Sequence, residues 1–215
     1  ARAAREAGLG RFVHVSSVAA LASSTAPGET IDDSFAASPE TPYGRSKLEG
    51  DRAVLDLATD GFAVVVMRPP ALFGPGAKGW FPAFMRAARL GLPLPLGAIA
   101  NRRSLAFVGN VADALVNAAT GTSVPSGAYV VCDSAPLSSG EFYDRLCRAH
   151  GHRGRVWCLP PSLAKGLARI VLADRAASLV GNAAFDGSRF IARSGWAPPF
   201  TLDQAMTITA TGRPC

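Results

Sequence analysis

Several features are scarce in this sequence of 215 residues, and each absence argues against a class of protein. No apolar run reaches the ~18 residues that cross a bilayer, so we expect no membrane span. The cysteines form no Cys-x-x-Cys pair and no metal-ligand spacing, which predicts thiols of a reducing, cytoplasmic compartment and no metal site. They are Cys132, Cys147, Cys158 and Cys215.

Lysine is also rare: three lysines accompany nineteen arginines, and the formal net charge is +6. The arginines are scattered, without the basic runs and interleaved aromatic residues of a nucleic-acid surface. We therefore expect no nucleic-acid partner. Single arginines better suit the phosphate groups of a small ligand.

Two segments, one at the start of the chain and one late in it, have distinct patterns. There is no starting methionine and no signal-peptide pattern; residues 1–8 are typical of the end of a helix, with Gly8 near its C-cap. This predicts that the sequence begins inside a fold. Residues 163–180 are apolar but interrupted by charges, which favours an amphipathic helix packed on the protein over one on a membrane surface.

Strand and helix patterns alternate along the chain. Strands are expected at 11–17, 62–68, 105–108 and 128–132. Helices are expected at 43–59, at 81–90, at 111–120 with Asn110 as the cap and Asp113 at N3, from a Ser138–Glu141 capping box to His150, and over most of 160–206. The polar segment 26–42 is predicted as a loop. This alternation is typical of a doubly wound α/β sheet.

Tyr43 and Lys47 stand four residues apart on a predicted helix, so their side chains lie on one face. A tyrosine acts as a base near pH 7 only if its pKa falls from about 10 to about 7, which requires roughly 4 kcal/mol. An ammonium one turn away supplies part of that energy and can also bond a ribose hydroxyl. The alternative is a surface tyrosine beside a solvated lysine.

Two serines, Ser16 and Ser17, end the first predicted strand, at the sheet edge where open α/β sheets bind ligands. A hydroxyl there can hydrogen-bond the substrate oxygen that Tyr43 deprotonates. Serines at strand ends also serve as ordinary turn caps, so the pair has a purely structural alternative.

Five segments, in this order, resemble the extended short-chain dehydrogenases/reductases, the NAD-dependent epimerase/dehydratase group. They are Ser16–Ser17 after a strand, Tyr-x-x-x-Lys at 43–47, Arg-Pro-Pro-Ala-Leu-Phe-Gly-Pro-Gly at 68–76, the run 101–114, and Ser-Gly-Trp-Ala-Pro-Pro at 194–199. The fourth is similar to the substrate-lobe signature of nucleotide-sugar 4-epimerases and 4-keto reductases. The likeness spans almost the whole chain.

The resemblance implies an α/β fold: the C-terminal portion of a Rossmann-type doubly wound parallel sheet with a smaller mixed α/β substrate lobe. Residues 1–75 would belong to the NAD(P)-binding domain and carry the Tyr-x-x-x-Lys helix. Residues 76–215 would form mainly the substrate-binding lobe, with strands returning to the sheet. The family's opening strand and Gly-rich pyrophosphate loop have no counterpart, so we expect these residues alone to bind NAD(H) poorly.

The resemblance also implies catalytic roles. Tyr43 would take the proton of a sugar hydroxyl while hydride leaves the same carbon for NAD or NADP. Lys47 would hold the nicotinamide ribose and support the phenolate. Ser17 would orient the hydroxyl, with Ser16 as the alternative for that role.

Binding roles follow in the same way. Pro70 and Leu72 would lie in the segment against the nicotinamide carboxamide. Arg103 would grip the diphosphate of a nucleotide sugar, since a guanidinium fork fits phosphate geometry; its neighbour Arg102 could serve instead.

Two departures from the family pattern bear on the reaction. Val18–Ala19 stands where dehydratases carry an acidic pair, so 4,6-dehydration is disfavoured. Ala71 stands where well-known epimerases place a substrate-binding asparagine, so the sugar stays open. The predicted protein is a homodimeric, NAD(P)-dependent nucleotide-sugar epimerase or 4-keto reductase. The alternatives are a non-catalytic dinucleotide-binding or scaffold protein of the same fold, and a fragment without activity of its own.

Overall fold

The computed structural model describes residues 1–153, 156–157 and 180–212. Within them the helices are α1 Arg2–Glu6, α2 Pro42–Leu55, α3 Phe81–Arg89, α4 Val108–Thr120, α5 Ser139–Ala149, α6 Ser188–Ser194 and α7 Leu202–Thr211, with a 3-10 turn, η1, at Val18–Ala20. The strands are β1 Arg11–Val15, β2 Ala63–Arg68, β3 Ala71–Phe73, β4 Leu105–Phe107 and β5 Gly127–Val130. Helices and strands alternate, which confirms the α/β class.

The main sheet consists of three parallel strands in the order β1-β2-β5. The central strand β2 is buried on both faces, because its apolar run contains no polar side chain before Arg68. Val64 and Val66 pack beneath α2, while Val65 and Met67 face α4 and α6. Helices therefore cover both faces, which confirms the predicted doubly wound arrangement.

A second, two-stranded parallel sheet pairs β3 with β4. Phe73 and Phe107 are opposite each other in its register, and the Phe73 ring centroid lies 5.7 Å from that of Phe107 and 5.2 Å from that of Phe142 in α5. This aromatic core, shared with α3 and α7, holds the smaller mixed lobe together. The division between domain and lobe at residue 75 stays a prediction.

A segment late in the chain, residues 181–186, lies between the lobe and the loop that joins η1 to α2. On one side Ala183 forms a parallel bridge with Arg103. On the other side Phe185 forms a parallel bridge with Ile31 of the loop. The loop is therefore held in place by residues from the far end of the sequence.

The start of α4 differs from the prediction. The sequence pattern places a cap at Asn110, but α4 begins at Val108 with Phe107 as its N-cap residue. The Asn110 side chain instead accepts from the Phe200 N–H at 3.0 Å and donates to Asp133 at 2.8 Å. The predicted cap is wrong, because the Asn110 side chain forms hydrogen bonds with residues distant in sequence instead of with the first N–H groups of the helix.

The remaining structural predictions have mixed outcomes. The capping box at Ser138 is confirmed, with both of its hydrogen bonds present. Much of the helical pattern beyond residue 160 falls on residues 158–179, outside the described residues. Of the cysteines in the described ranges, Cys132 and Cys147 are buried and form no disulfide. None of the helices there combines the length and apolarity that a bilayer crossing needs.

Candidate active site

Ser16 and Ser17 follow β1 at the carboxyl edge of the main sheet. The Val18 N–H donates to the Pro69 carbonyl at 3.1 Å, so the serine turn stays bonded to the end of β2. The Ser17 hydroxyl accepts from the Ala19 N–H at 3.2 Å and caps η1. Capping a turn is the structural alternative predicted for a strand-end serine. Because the Ser17 oxygen acts here as an acceptor, its proton remains available for donation to a substrate oxygen. The Ser16 hydroxyl is buried and has no hydrogen-bond partner among the residues that the structure describes.

Helix α2 starts against this turn. Thr41 is its N-cap, and the threonine hydroxyl accepts from the Gly44 N–H at 3.0 Å. Gly44 lies so close to η1 that a Cβ atom there would overlap the Ala19 carbonyl oxygen. Because position 44 has no side chain, Tyr43 and Ser17 come from elements in direct contact.

Gly44→Ala is expected to lower the Tm, because the added methyl group meets a backbone oxygen that cannot rotate away; overpacking of this kind costs about 1–3 kcal/mol. Thermal unfolding followed by circular dichroism measures the change. Gly50→Ala on the same helix is the matched control: its Cβ would meet only His14, at 3.6 Å. Alanine is favoured over glycine in a helix by roughly 0.5–1 kcal/mol, so this variant is expected to be slightly more stable. Equal Tm values for the two variants would contradict the close approach.

Tyr43 and Lys47 lie one turn apart on α2. The Lys47 Nζ is 5.8 Å from the centroid of the Tyr43 ring and donates to the Val15 carbonyl at 3.4 Å. Tyr43 is 57% exposed. The structure thus places the ammonium at the carboxyl end of β1 and leaves the phenol open to a ligand. The three predicted catalytic residues share this sheet edge, and their roles stay predictions.

The segment proposed to face the nicotinamide follows β2 directly. Pro69 and Pro70 are buried, and Leu72 is half-buried in β3, where it is in register with Ala106 of β4. The hydrogen bond from Val18 to Pro69 joins this segment to the serine turn. Pro70 therefore directly follows the residue that is hydrogen-bonded to the serine turn, Pro69. Leu72, in contrast, belongs to the sheet of the smaller lobe.

Arg103 comes from the smaller lobe, two residues before β4. One guanidinium nitrogen, Nη1, donates to the Gly181 carbonyl at 2.8 Å, while the buried Nε has no hydrogen-bond partner within the described ranges. Burial lowers the pKa of Arg103 to about 10, so the group remains charged at pH 7. Among the described residues no carboxylate forms an ion pair with it. Arg102, in contrast, is exposed. Arg103 lines a small cavity together with two serines, Ser138 and Ser139, and five apolar side chains: Trp80, Phe84, Leu105, Leu137 and Phe142.

A buried ion pair beneath α2 is absent from the sequence prediction. Asp51 is fully buried and accepts from the Arg68 Nε at 2.9 Å; Arg68 is only 6% exposed. The other carboxylate oxygen of Asp51 lies 3.7 Å from the His14 Nε2 and has no hydrogen bond in the described part of the chain. The sequence carries a signal for this pair, since Asp51 stands one helical turn after Lys47 and Arg68 ends an apolar strand.

Asp33, in the loop between η1 and α2, is a second charged residue that is removed from water, here in part. It too is absent from the sequence prediction. Its Oδ1 accepts from the Val130 N–H at 2.6 Å, whereas its Oδ2 is buried and has no partner among residues 1–153, 156–157 and 180–212. Burial raises the pKa of Asp33 to about 6, although the Val130 hydrogen bond and the charges of Arg189 and Arg68 act in the opposite direction. The ionised carboxylate therefore destabilises the fold near neutral pH.

Asp33→Asn is expected to raise the Tm at pH 8 by ~2–4 °C, about 1 kcal/mol after discounting for partial exposure. The folded pKa lies above the ordinary value of 3.8, so the destabilisation is present above about pH 6 and absent below about pH 4. Asparagine keeps an acceptor for the Val130 N–H. Calorimetric scans of both proteins at pH 8 and pH 4 measure the difference.

The neighbouring variant Asp32→Asn is the control for this experiment. Hydrogen bonds from Ser34 lower the pKa of the exposed Asp32, so its replacement is expected to give no gain at pH 8. If Asp33→Asn stabilises the protein equally at pH 4 and pH 8, the charge of Asp33 is not the cause.

Comparisons with known proteins show the family and the fold of the chain. The NAD dependent epimerase/dehydratase family matches residues 1–132. Over 98% of its length the chain is 31% identical to UDP-glucose 4-epimerase from Vibrio cholerae, of which it covers 65%. UDP-N-acetylglucosamine 4-epimerase from Bacillus cereus is a structural neighbour with a TM-score of 0.74 at 17% identity, covering 97% of this chain and 66% of that one. RMD from Pseudomonas aeruginosa, complexed with NADPH, has a TM-score of 0.73 at 21% identity, covering 98% and 69%.

The chain belongs to the NAD dependent epimerase/dehydratase family. The two structural neighbours share its fold, which confirms the predicted Rossmann-type α/β class. The chain spans 65% of the length of its Vibrio relative.

Proposed function

We propose that this chain is the catalytic and substrate-binding part of an NAD(P)-dependent nucleotide-sugar epimerase or 4-keto reductase. The observation that carries the substrate class is the half-buried guanidinium of Arg103, which has no anionic partner among the described residues. The observation that supports the reaction type is the placement of Tyr43, Lys47 and Ser17 at one sheet edge.

Arg103 supports a diphosphate ligand for an electrostatic reason. A buried cation is costly unless it is paired, and the single bond to the Gly181 carbonyl supplies no negative charge. A diphosphate offers charge and several oxygens, and a planar guanidinium can bind two of them at once. The apolar side chains that line the cavity with Arg103 reduce its contact with water, which strengthens such a pair. By their names, the Vibrio and Bacillus relatives act on UDP-sugars.

The residues at the sheet edge fit the nicotinamide end of NAD or NADP. The Lys47 ammonium lies at the carboxyl end of β1 and has donors left for ribose hydroxyls beyond its bond to Val15. Pro70 offers an apolar ring, in a segment that is bonded to the serine turn. The neighbour from Pseudomonas aeruginosa carries NADPH.

The proposed chemistry divides the reaction between three side chains. Ser17 donates a hydrogen bond to the sugar hydroxyl, Tyr43 takes its proton, and the Lys47 ammonium stabilises the phenolate that does so. When bound, the dinucleotide accepts hydride from the same carbon, which leaves a keto sugar. An epimerase returns proton and hydride to the other face of that sugar, whereas a reductase receives the keto sugar from outside.

A panel of substrates tests the proposal. The natural polypeptide that contains these residues is incubated with UDP-, GDP- and dTDP-sugars, including 4-keto sugars, together with NAD(P)(H), and products are analysed by mass and NMR stereochemistry. An epimer of unchanged mass identifies an epimerase, and a keto sugar that gains two hydrogens identifies a reductase. No turnover of any member would overturn the proposal.

Two further points accompany it. A non-catalytic dinucleotide-binding or scaffold protein of this fold remains the alternative, and the presence of both Tyr43 and Lys47 argues against it. We also propose a homodimer through α2, on the family resemblance alone; light scattering of the purified protein tests it.

A further inference from the structure

A cluster of buried charged groups lies beneath the catalytic face of α2 and has no part in the proposed reaction. Asp51 is fully buried one turn after Lys47, and its Oδ2 accepts from the Arg68 Nε at 2.9 Å. Apolar residues of similar volume are often as stable as such a pair, or more so. Stability alone therefore does not account for burying the two charges here.

Arg68 connects this cluster to the segment proposed to face the nicotinamide. It is the last residue of β2 and is followed at once by Pro69 and Pro70. The Pro69 carbonyl in turn accepts from the Val18 N–H, directly after the serine turn. The ion pair therefore ties the helix that carries Tyr43 to the strand end that positions this segment.

His14 is the third member of the cluster. Its Nε2 lies 3.7 Å from the free Oδ1 of Asp51. Burial lowers the pKa of His14, against the attraction of Asp51 and together with repulsion from Lys47, so the ring is neutral at pH 7. The next residue, Val15, accepts from the Lys47 ammonium. Lys47 thus bonds α2 to the end of β1, and His14 packs beside the Asp51 carboxylate one residue earlier on the same strand.

We propose that Asp51 is a positioning residue that, with Arg68 and His14 as partners, sets the Tyr43–Lys47 face of α2 against the Pro69–Pro70 segment. The inference rests on the proposed function, because it assumes that a proton and a hydride leave one carbon towards groups on these two elements. A small misplacement of one group relative to the other lowers the rate of the chemical step more than it lowers binding.

The test compares two variants of the complete protein with a nucleotide sugar on which the wild type is active. Asp51→Asn removes the charge with little change of shape and is expected to lower kcat ~10–100-fold. The KM for the sugar and the Kd for NAD(P)H are expected to stay within about threefold, since neither ligand touches Asp51. Val66→Ala is the control: Val66 is fully buried in β2, in register with His14, but carries no charge. It is expected to lose stability while its kcat stays within about twofold.

Each outcome decides the matter. A selective loss of kcat in Asp51→Asn supports the inference, and equal kcat values for the two variants at temperatures where both are folded overturn it. If Asp51→Asn does not fold, His14→Gln decides, since it leaves the ion pair intact: a lower kcat with unchanged KM supports the inference, and a wild-type kcat overturns it. A wild type inactive on every sugar would overturn the proposed function instead.

Discussion

Replacing Tyr43 by phenylalanine is expected to lower the rate of hydride transfer ~10²–10⁴-fold while leaving nucleotide-sugar binding nearly unchanged. The phenol is the only group at this edge proposed to take the sugar proton, and loss of a general base costs ~10²–10⁴-fold in rate. Its exposure means that removing one oxygen atom leaves no buried cavity and no unpaired buried group. Single-turnover absorbance at 340 nm measures hydride transfer, and calorimetric titration measures sugar binding.

The control for Tyr43 is another tyrosine of the same chain. The Tyr129 hydroxyl donates to the Pro125 carbonyl at 3.0 Å, in the main sheet, so Tyr129→Phe loses one hydrogen bond without touching the proposed site. We expect normal hydride transfer in this variant. Full turnover in Tyr43→Phe would remove Tyr43 from the mechanism.

Arg103→Ala is expected to raise the KM for the nucleotide sugar ~100-fold, with a smaller effect on kcat. Truncating one partner of a buried, hydrogen-bonded charge pair costs roughly 2–5 kcal/mol, because the other charge is left unpaired. The diphosphate is remote from the reacting carbon, so the loss falls mainly on binding. Steady-state kinetics and direct titration with the free nucleotide diphosphate measure it.

Arg102 provides the matched control, since the two arginines are adjacent but Arg102 is exposed, whereas Arg103 is half-buried with its Nε removed from water. Arg102→Ala is expected to change the KM less than about threefold, as for exposed charges in general. Unchanged binding of the diphosphate in Arg103→Ala would return Arg103 to a purely structural role at the Gly181 carbonyl. A large effect in Arg102→Ala alone would assign the diphosphate to that residue.

Local patterns in the sequence predicted the elements that frame the site. The apolar run at 62–68 became the buried central strand, because a segment apolar on both sides is stable only between two helical layers. The helix that carries Tyr43 begins within one residue of its predicted start, since threonine and proline define that start locally. The capping box of α5 is likewise a local interaction between residues three apart.

The interactions that the sequence did not predict join distant residues. Asparagine is a common helix N-cap, yet the Asn110 side chain accepts a hydrogen bond from Phe200, 90 positions later. Asp33 bonds to Val130 across 97 positions. Asp51 and Arg68 are closer in sequence, but their pairing depends on how α2 crosses the sheet, and no local pattern fixes that crossing.

The bridge between Ile31 and Phe185 also bears on the order in which the protein forms during synthesis. A ribosome releases residue 31 long before residue 185, and chains begin to fold from the N-terminus as they emerge. The stretch leading into α2 therefore cannot adopt its final path until residues 181–186 have been made. Nascent chains halted before residue 181 should expose this stretch to protease, and chains in which residues 181–212 have left the ribosome should protect it.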